Sequence, residues 1–273
     1  MGSIPDSPLG KSARYPVAYD AALLYPVERA PQREALEIAA VLPFHGTDRW
    51  TAWEATWLDN DGRPQVAIAA FTVPCTSARI VESKSVKLYF ASLNHERFES
   101  AQAYGSLLAR DLAAATLGEV DVWLHLPADW ADCVRSDPPG AGIDDAAPSA
   151  WPAFPDAGVL RAGGGQVEET LVTHAFRSVC PVTGQPDYAS VSIAYRGACI
   201  DRASLLAYLV GFRRHPGFHE HCVERIYVDV AAACRPLALA VEARFTRRGG
   251  IDINPFRSSE PDARPAGRPT LRQ

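Results

Sequence analysis

Ser178-Val179-Cys180-Pro181-Val182-Thr183-Gly184-Gln185-Pro186-Asp187-Tyr188 decides how the second half of this chain is read. Two strand-like stretches flank it. Glu168 to Phe176 is rich in β-branched and apolar residues. After the loop, Val191, Ile193 and Tyr195 alternate with Ser190, Ser192 and Arg196, the period of a half-buried strand. Pro181 biases Cys180 towards an extended conformation, and Gly184 permits a sharp reversal. A chain folded back over so short a loop brings Cys180 and Asp187 towards each other, a nucleophilic thiol beside a proton donor or acceptor. Taken alone, the pair has a plainer account: a small buried cysteine and an aspartate that serves the turn.

Working outward, Asp201 caps a helix to about Arg214, His215-Pro216-Gly217 breaks it, and a second helix runs from about Phe218 to Ala232. Leu237, Leu239, Val241, Ala243 and Phe245 then alternate with Glu242, Arg244 and Thr246, and Gly249-Gly250 turns the chain into a last short strand. This order, β-β-α-α-β-β, is the α+β class: an antiparallel sheet with helices on one face. In the first half, Trp50–Leu58 and Gln65–Val73 pair across Asp59-Asn60-Asp61-Gly62. Ile80 to Tyr89 interleaves Ser and Lys with apolar residues, the pattern of a charged strand edge. Asn94 caps a helix from about His95 to Thr116, and Val120 to Leu126 alternates as another strand. Composition shifts divide the chain into a first module at 13–135, a linker at 136–165 marked by Pro138-Pro139-Gly140 and Gly163-Gly164-Gly165, a second module at 166–258 and a flexible tail at 259–273. Residues 1 to about 12 read as loose.

Net charge is −5 and the pI about 5.8, so no basic excess points to nucleic acid. No apolar run is long enough to cross a membrane. The opening Met1-Gly2-Ser3-Ile4 lacks the flank and core of a secretion signal, so a cytoplasmic setting with reduced thiols is expected. The six cysteines form no C-x-x-C pair and no zinc spacing, and no metal is expected. The triple glycine is no dinucleotide fingerprint, and Leu9-Gly10-Lys11 is too short for a phosphate loop.

Three further clusters carry chemistry. Phe218-His219-Glu220 opens a helix, where the dipole favours a carboxylate that can accept two parallel hydrogen bonds from a heterocycle. A solvated first turn, with Glu220 and Glu224 one turn apart, accounts for it equally. Glu82-Ser83-Lys84-Ser85-x-Lys87 offers a second ring-binding carboxylate and two lysines for phosphate, or simply a charged edge. Arg247-Arg248-Gly249-Gly250 suits a phosphate, since the backbone there permits close approach and guanidinium binds bidentately; an ordinary hairpin is the alternative.

Together these segments resemble the NADPH-dependent 7-cyano-7-deazaguanine reductases, the nitrile reductases of queuosine biosynthesis, in their long two-module form. The resemblance runs through Glu82-Ser83-Lys84-Ser85, Cys180 to Asp187, Phe218-His219-Glu220-x-Cys222-Val223-Glu224 and Arg247 to Pro255. It covers the chain apart from the linker and tail. It implies two tandem tunnelling-fold modules, each an antiparallel sheet with helices on one face, and a homodimer acting on a small molecule. It implies that Cys180 attacks the nitrile carbon to form a thioimide and that Asp187 supplies a proton. Two hydrides from NADPH then lead through an imine to the primary amine 7-aminomethyl-7-deazaguanine. Glu82 and Glu220 would hold the N–H groups of the deazaguanine, with His219 beside the ring and Val81 and Ser83 as neighbours. Ser83, Lys84, Arg248 and Gly249 match cofactor-binding positions. Since Glu82 lies in the first half and Cys180 in the second, the resemblance draws the site from both modules. Tyr188-Ala189 stands where the family has Trp-Gly, a change to the pocket wall that removes no reacting group. A cysteine hydrolase would need no phosphate cluster, and a non-catalytic purine- or pterin-binding module would leave Cys180 and Asp187 without a role.

Overall fold

A computed structural model describes residues 15–133, 135–265 and 268–273. Leu9-Gly10-Lys11 and the loose stretch expected at 1–12 lie outside the described residues. The described chain forms two compact units. One comprises residues 15–31, 48–133 and 247–252, the other residues 32–47, 135–246 and 253–273. The units interleave along the chain, whereas the composition shifts suggest contiguous segments. Residues 247–252 bond to Trp53, and residues 32–47 reach Glu224 and Tyr227 through Arg33, Pro43 and Phe44, long-range contacts that composition does not report.

In the first unit, β1 (Pro26–Glu28) leads into α1 (Ala30–Glu34), which enters the second unit. The long β2 (His45–Leu58) and β3 (Pro64–Pro74) form the expected hairpin. Gly62 adopts φ +85° in its turn, a conformation that favours glycine. β4 (Arg79–Val81) pairs antiparallel with β1, and its end delivers the chain to α2 (Ser83–Ser92). Residues 83–92 are therefore helical, not a strand edge. Val86, Tyr89 and Phe90 recur at helical spacing on a buried face, a period the interleaved Ser and Lys residues obscure. α3 (Ala101–Thr116) starts later than expected, because Ser100 and not Asn94 supplies the cap, its hydroxyl accepting from Ala103 N–H at 3.1 Å. β5 (Asp121–His125) pairs antiparallel with β3, giving the order β5-β3-β2. Trp50 stacks on Phe71 at 5.6 Å and Trp57 on Tyr104 at 4.5 Å in the core.

In the second unit the short β6 (Ala141–Gly142) runs parallel to β7 (Ala162–Val179). β7 pairs antiparallel with β8 (Pro186–Ile200), which leads into α4 (Arg202–Val210). After a tight helical turn at Gly211–Arg214 come α5 (His219–Cys234), β9 (Ala238–Phe245) and β10 (Ile251–Ser258). The strand order is β10-β9-β8-β7-β6. The protein is thus a mixed α+β fold whose sheet pairing is predominantly antiparallel. Val191, Ile193, Val241 and Phe245 form the buried strand face together with Phe176, Phe212 and Tyr208. Each such side chain contributes about 1.5–3 kcal/mol on burial.

Two stretches read as loose in the sequence are packed here. In the expected linker, Asp144 accepts from His174 N–H at 2.8 Å and from the Thr173 hydroxyl, and Pro155 C=O accepts from Arg225 at 3.1 Å. In the expected tail, Thr270 and Gln273 are buried. Side-chain and backbone hydrogen bonds hold both segments, and a composition rich in Pro, Gly and Arg does not reveal them.

Candidate active site

The second unit carries the Cys180 cluster. β7 and β8 are in register up to Ser178↔Asp187 and Val179↔Pro186, so the loop between them is Cys180 to Gln185. Cys180 N–H donates to the Gln185 carbonyl at 2.8 Å and Gly184 N–H to the Cys180 carbonyl at 3.0 Å. Gly184 takes φ +68°, the reversal expected of it. A register shift between Thr173 and Phe176 precedes this end of β7. Such bulges re-aim the residues beyond them. Cys180 and Asp187 are both buried, at 7% and 6% exposure, which lowers the dielectric around any charge they develop.

The break at His215-Pro216-Gly217 has a second task. Val179 N–H donates to His215 C=O and Gly217 N–H to Val179 C=O, both at 3.1 Å. These bonds seat the start of α5 beside the end of β7. His219 Nε2 consequently lies 3.6 Å from Asp187 Oδ1, and its ring centroid is 3.9 Å from that of Phe245. Glu220 follows on the first turn of α5, only 3% exposed, so the solvated-turn account does not hold. The structure thus brings Cys180, Asp187, His219 and Glu220 to one end of this unit.

The neighbouring groups are kept neutral. Burial pushes the Cys222 thiol up to about 12, with the charges of Asp187 and Glu220 adding to the effect. Burial lowers His215 to about 4 and lowers His221 as well. Cys222 is therefore a thiol and not a thiolate nucleophile near neutral pH.

The helix bearing His219 and Glu220 is anchored one turn further on. Glu224 accepts from Arg33 at 2.7 and 3.0 Å and from Arg257 at 2.8 and 3.1 Å, and both guanidinium groups lie over Phe44. Arg257 is fully buried. Glu224→Ala would leave two guanidinium groups without their shared carboxylate. We expect it to cost about 3–5 kcal/mol, read as a lowered urea midpoint with an unchanged slope. A loss below about 1 kcal/mol would contradict this anchoring role.

The first unit carries the Glu82 cluster. Val81 ends β4 and is buried. Glu82 is fully buried, so the charged-edge account fails here too. Its side chain caps α2, accepting from Lys84 N–H at 2.6 Å and Ser85 N–H at 2.8 Å, with the Ser83 hydroxyl at 3.4 Å. A carboxylate has about four lone-pair sites, so these bonds leave it capacity to accept from a ligand. Arg248 and Ile251 close a tight turn, in which Gly249 and Gly250 take φ +58° and +78°. A Cβ at Gly249 would lie 3.1 Å from the Lys87 side chain, so glycine allows the turn to meet α2 closely. Trp53 fixes the turn from β2: its N–H donates to Gly250 C=O at 2.8 Å, its indole N–H donates to Asp252 at 2.5 Å, and Arg247 lies over its ring. The Lys87 side chain lies beside the Arg248–Ile251 turn. Among the described residues no cluster of His, Cys, Asp and Glu is arranged to hold a metal.

Sequence reasoning did not assign roles to Phe245, Arg33, Arg257 or Gln273. Phe245 was visible only as one more core position, and the two arginines meet Glu224 across long sequence separations. A cavity of about 550 Å³ on the second unit, lined by Thr170, Ser192, Glu242 and Ser258, includes none of the motif residues.

With this geometry in hand, comparison with known proteins defines the class. Residues 15–124 match the profile described as "Nitrile reductase, 7-cyano-7-deazaguanine-reductase N-term", and residues 186–264 match that of "QueF-like protein". The chain is 49% identical over 269 residues to an NADPH-dependent 7-cyano-7-deazaguanine reductase of Burkholderia vietnamiensis, with 98% of each chain covered. It is 51% identical over 269 residues to that of Burkholderia pseudomallei, again with 98% of each covered. The chain belongs to the NADPH-dependent 7-cyano-7-deazaguanine reductase family.

Proposed function

We propose that this protein is an NADPH-dependent oxidoreductase that reduces the nitrile of 7-cyano-7-deazaguanine to the primary amine through a covalent thioimide on Cys180. The observation that carries the reading is the buried Cys180–Asp187 loop with His219 3.6 Å from Asp187, in a member of this family. A nitrile carbon is a poor hydride acceptor. Addition of the Cys180 sulfur, with a proton delivered from Asp187 to the nitrogen, turns it into an activated C=N. Asp187 must carry a proton to do this. Glu220 and Glu82 accept hydrogen bonds from the heterocycle, His219 flanks it, and Val81 and Ser83 line its edge.

NADPH, when bound, supplies one hydride at each of two stages, and the thiol departs between them to leave an imine. Ser83, Lys84, Arg248 and Gly249 would hold it, with Lys87 beside the turn as a further cation. Arg248→Ala should raise the Michaelis constant for NADPH by about tenfold or more while leaving that for the nitrile within about twofold. Steady-state kinetics with each substrate varied in turn checks this, and an effect confined to the nitrile would contradict the cofactor assignment.

The reading extends to the architecture. Each unit is a tunnelling-fold module, the protein is a homodimer in the cytoplasm, and its product enters tRNA queuosine biosynthesis. The pairing order and the helices on one strand face of the second unit support the modules. Among the described residues no helix is long and apolar enough to cross a membrane.

A further inference from the structure

We infer that Gln273 is a positioning residue for the His219–Asp187 pair, acting through the end of β9. The segment 268–273 is fastened along its length. Pro269 C=O accepts from Ser136 N–H at 2.9 Å, Arg268 C=O from Arg244 at 2.8 Å, and Arg272 donates to His174 C=O at 2.7 Å. Gln273 is 3% exposed although its neighbour Leu271 is 72% exposed. Its amide nitrogen donates to the Phe245 carbonyl at 3.0 Å and to Asn254 Oδ1 at 2.6 Å, while its oxygen accepts from Thr270 N–H at 2.9 Å.

A primary amide suits this position, because one nitrogen offers two donors and the oxygen remains an acceptor. Phe245 is the last residue of β9, and Asn254 lies on β10. The described register of these strands runs from Ser258↔Ala240 to Phe256↔Glu242. Gln273 clamps both strands beyond that ladder. What it clamps bears on the chemistry, since the Phe245 ring packs on His219 at 3.9 Å and His219 reaches Asp187 at 3.6 Å. Losing the amide removes one restraint on Phe245, whose backbone also pairs with Ala189 and whose ring also packs on Phe176 at 6.0 Å, and so loosens the ring that backs His219. Small displacements of an acid's partner are costly to proton transfer.

This inference rests on the thioimide reading. The test uses the full chain mixed with 7-cyano-7-deazaguanine without NADPH, with the rate of adduct formation followed by rapid-quench intact mass. Gln273→Ala and Gln273→Glu should each slow the adduct about tenfold. The glutamate keeps the acceptor and the size but loses both donors. Leu271→Ser should match wild type. Gln273→Ala added to Phe245→Leu should slow the reaction no further than Phe245→Leu alone, which a merely structural role would not produce. If thermal melting shows that Gln273→Ala does not fold, Asn254→Ala, which removes one acceptor, replaces it and should also slow the adduct. Wild-type rates in the folded Gln273 variants, or additive slowing in the double variant, would overturn the inference. A wild-type protein that forms no adduct would instead overturn the thioimide reading, and this inference with it.

Discussion

Cys180→Ala is expected to abolish nitrile reduction, lowering turnover by more than about a thousandfold, while the protein remains folded. In the proposed mechanism the thiol is the covalent anchor. Cys222, which begins the second turn of α5, is held as a neutral thiol by burial that pushes it up to about 12. Turnover then depends on direct hydride attack on the nitrile, the step that sulfur addition exists to avoid. The structural cost is small, since the change removes one sulfur from a loop whose shape is set by the Cys180–Gln185 and Gly184–Cys180 backbone bonds. Steady-state turnover and thermal melting together check this. A folded variant with ordinary turnover would remove Cys180 from the chemistry.

Asp187→Asn is the second large effect. The amide keeps the size of the side chain and its place opposite Ser178, but it has no acidic proton to give. Adduct formation should slow by about 10²–10⁴-fold, the contribution typical of a positioned acid, with binding of the nitrile retained. The separation of the two effects is informative. Cys180→Ala should yield no adduct at any time, whereas Asp187→Asn should yield the same adduct slowly. Unchanged adduct kinetics in Asp187→Asn would assign the proton to another group, and His219 is the neighbour at 3.6 Å.

The legibility of this molecule in its sequence follows the range of the interactions involved. The β7–loop–β8 hairpin, the α4–α5 pair and β9 were readable because period and turn chemistry are local, and Gly184 and Gly62 take the positive φ their turns required. α2 was misread because residues 80–89 satisfy two periods at once. The tertiary burial of Tyr89 and Phe90, together with the Glu82 cap, selects the helix. Residues 32–47 and 247–252 join units remote in sequence, and nothing in their composition signals this. Within the candidate site, the residue types and loop geometry raised Cys180 and Asp187 as a pair, beside the plainer account of a buried cysteine and a turn aspartate. Residue types also raised Glu82, Glu220 and Arg248 as ligand-binding candidates, each beside a plainer account, and only the family resemblance gave them definite expected roles. The burial of both glutamates then removed their solvent-exposed alternatives. The anchors behind the site, Glu224 with Arg33 and Arg257, and Gln273 with Phe245, depend on contacts across 28 to 191 residues that no local pattern announces.

Intact-mass spectrometry of the protein mixed with 7-cyano-7-deazaguanine, in the absence of NADPH, bears most directly on the covalent mechanism. The account predicts a mass gain equal to the whole ligand, absent in Cys180→Ala and discharged when NADPH is added. Tight binding of the nitrile with no mass gain would contradict it and leave a purine-binding module without covalent chemistry.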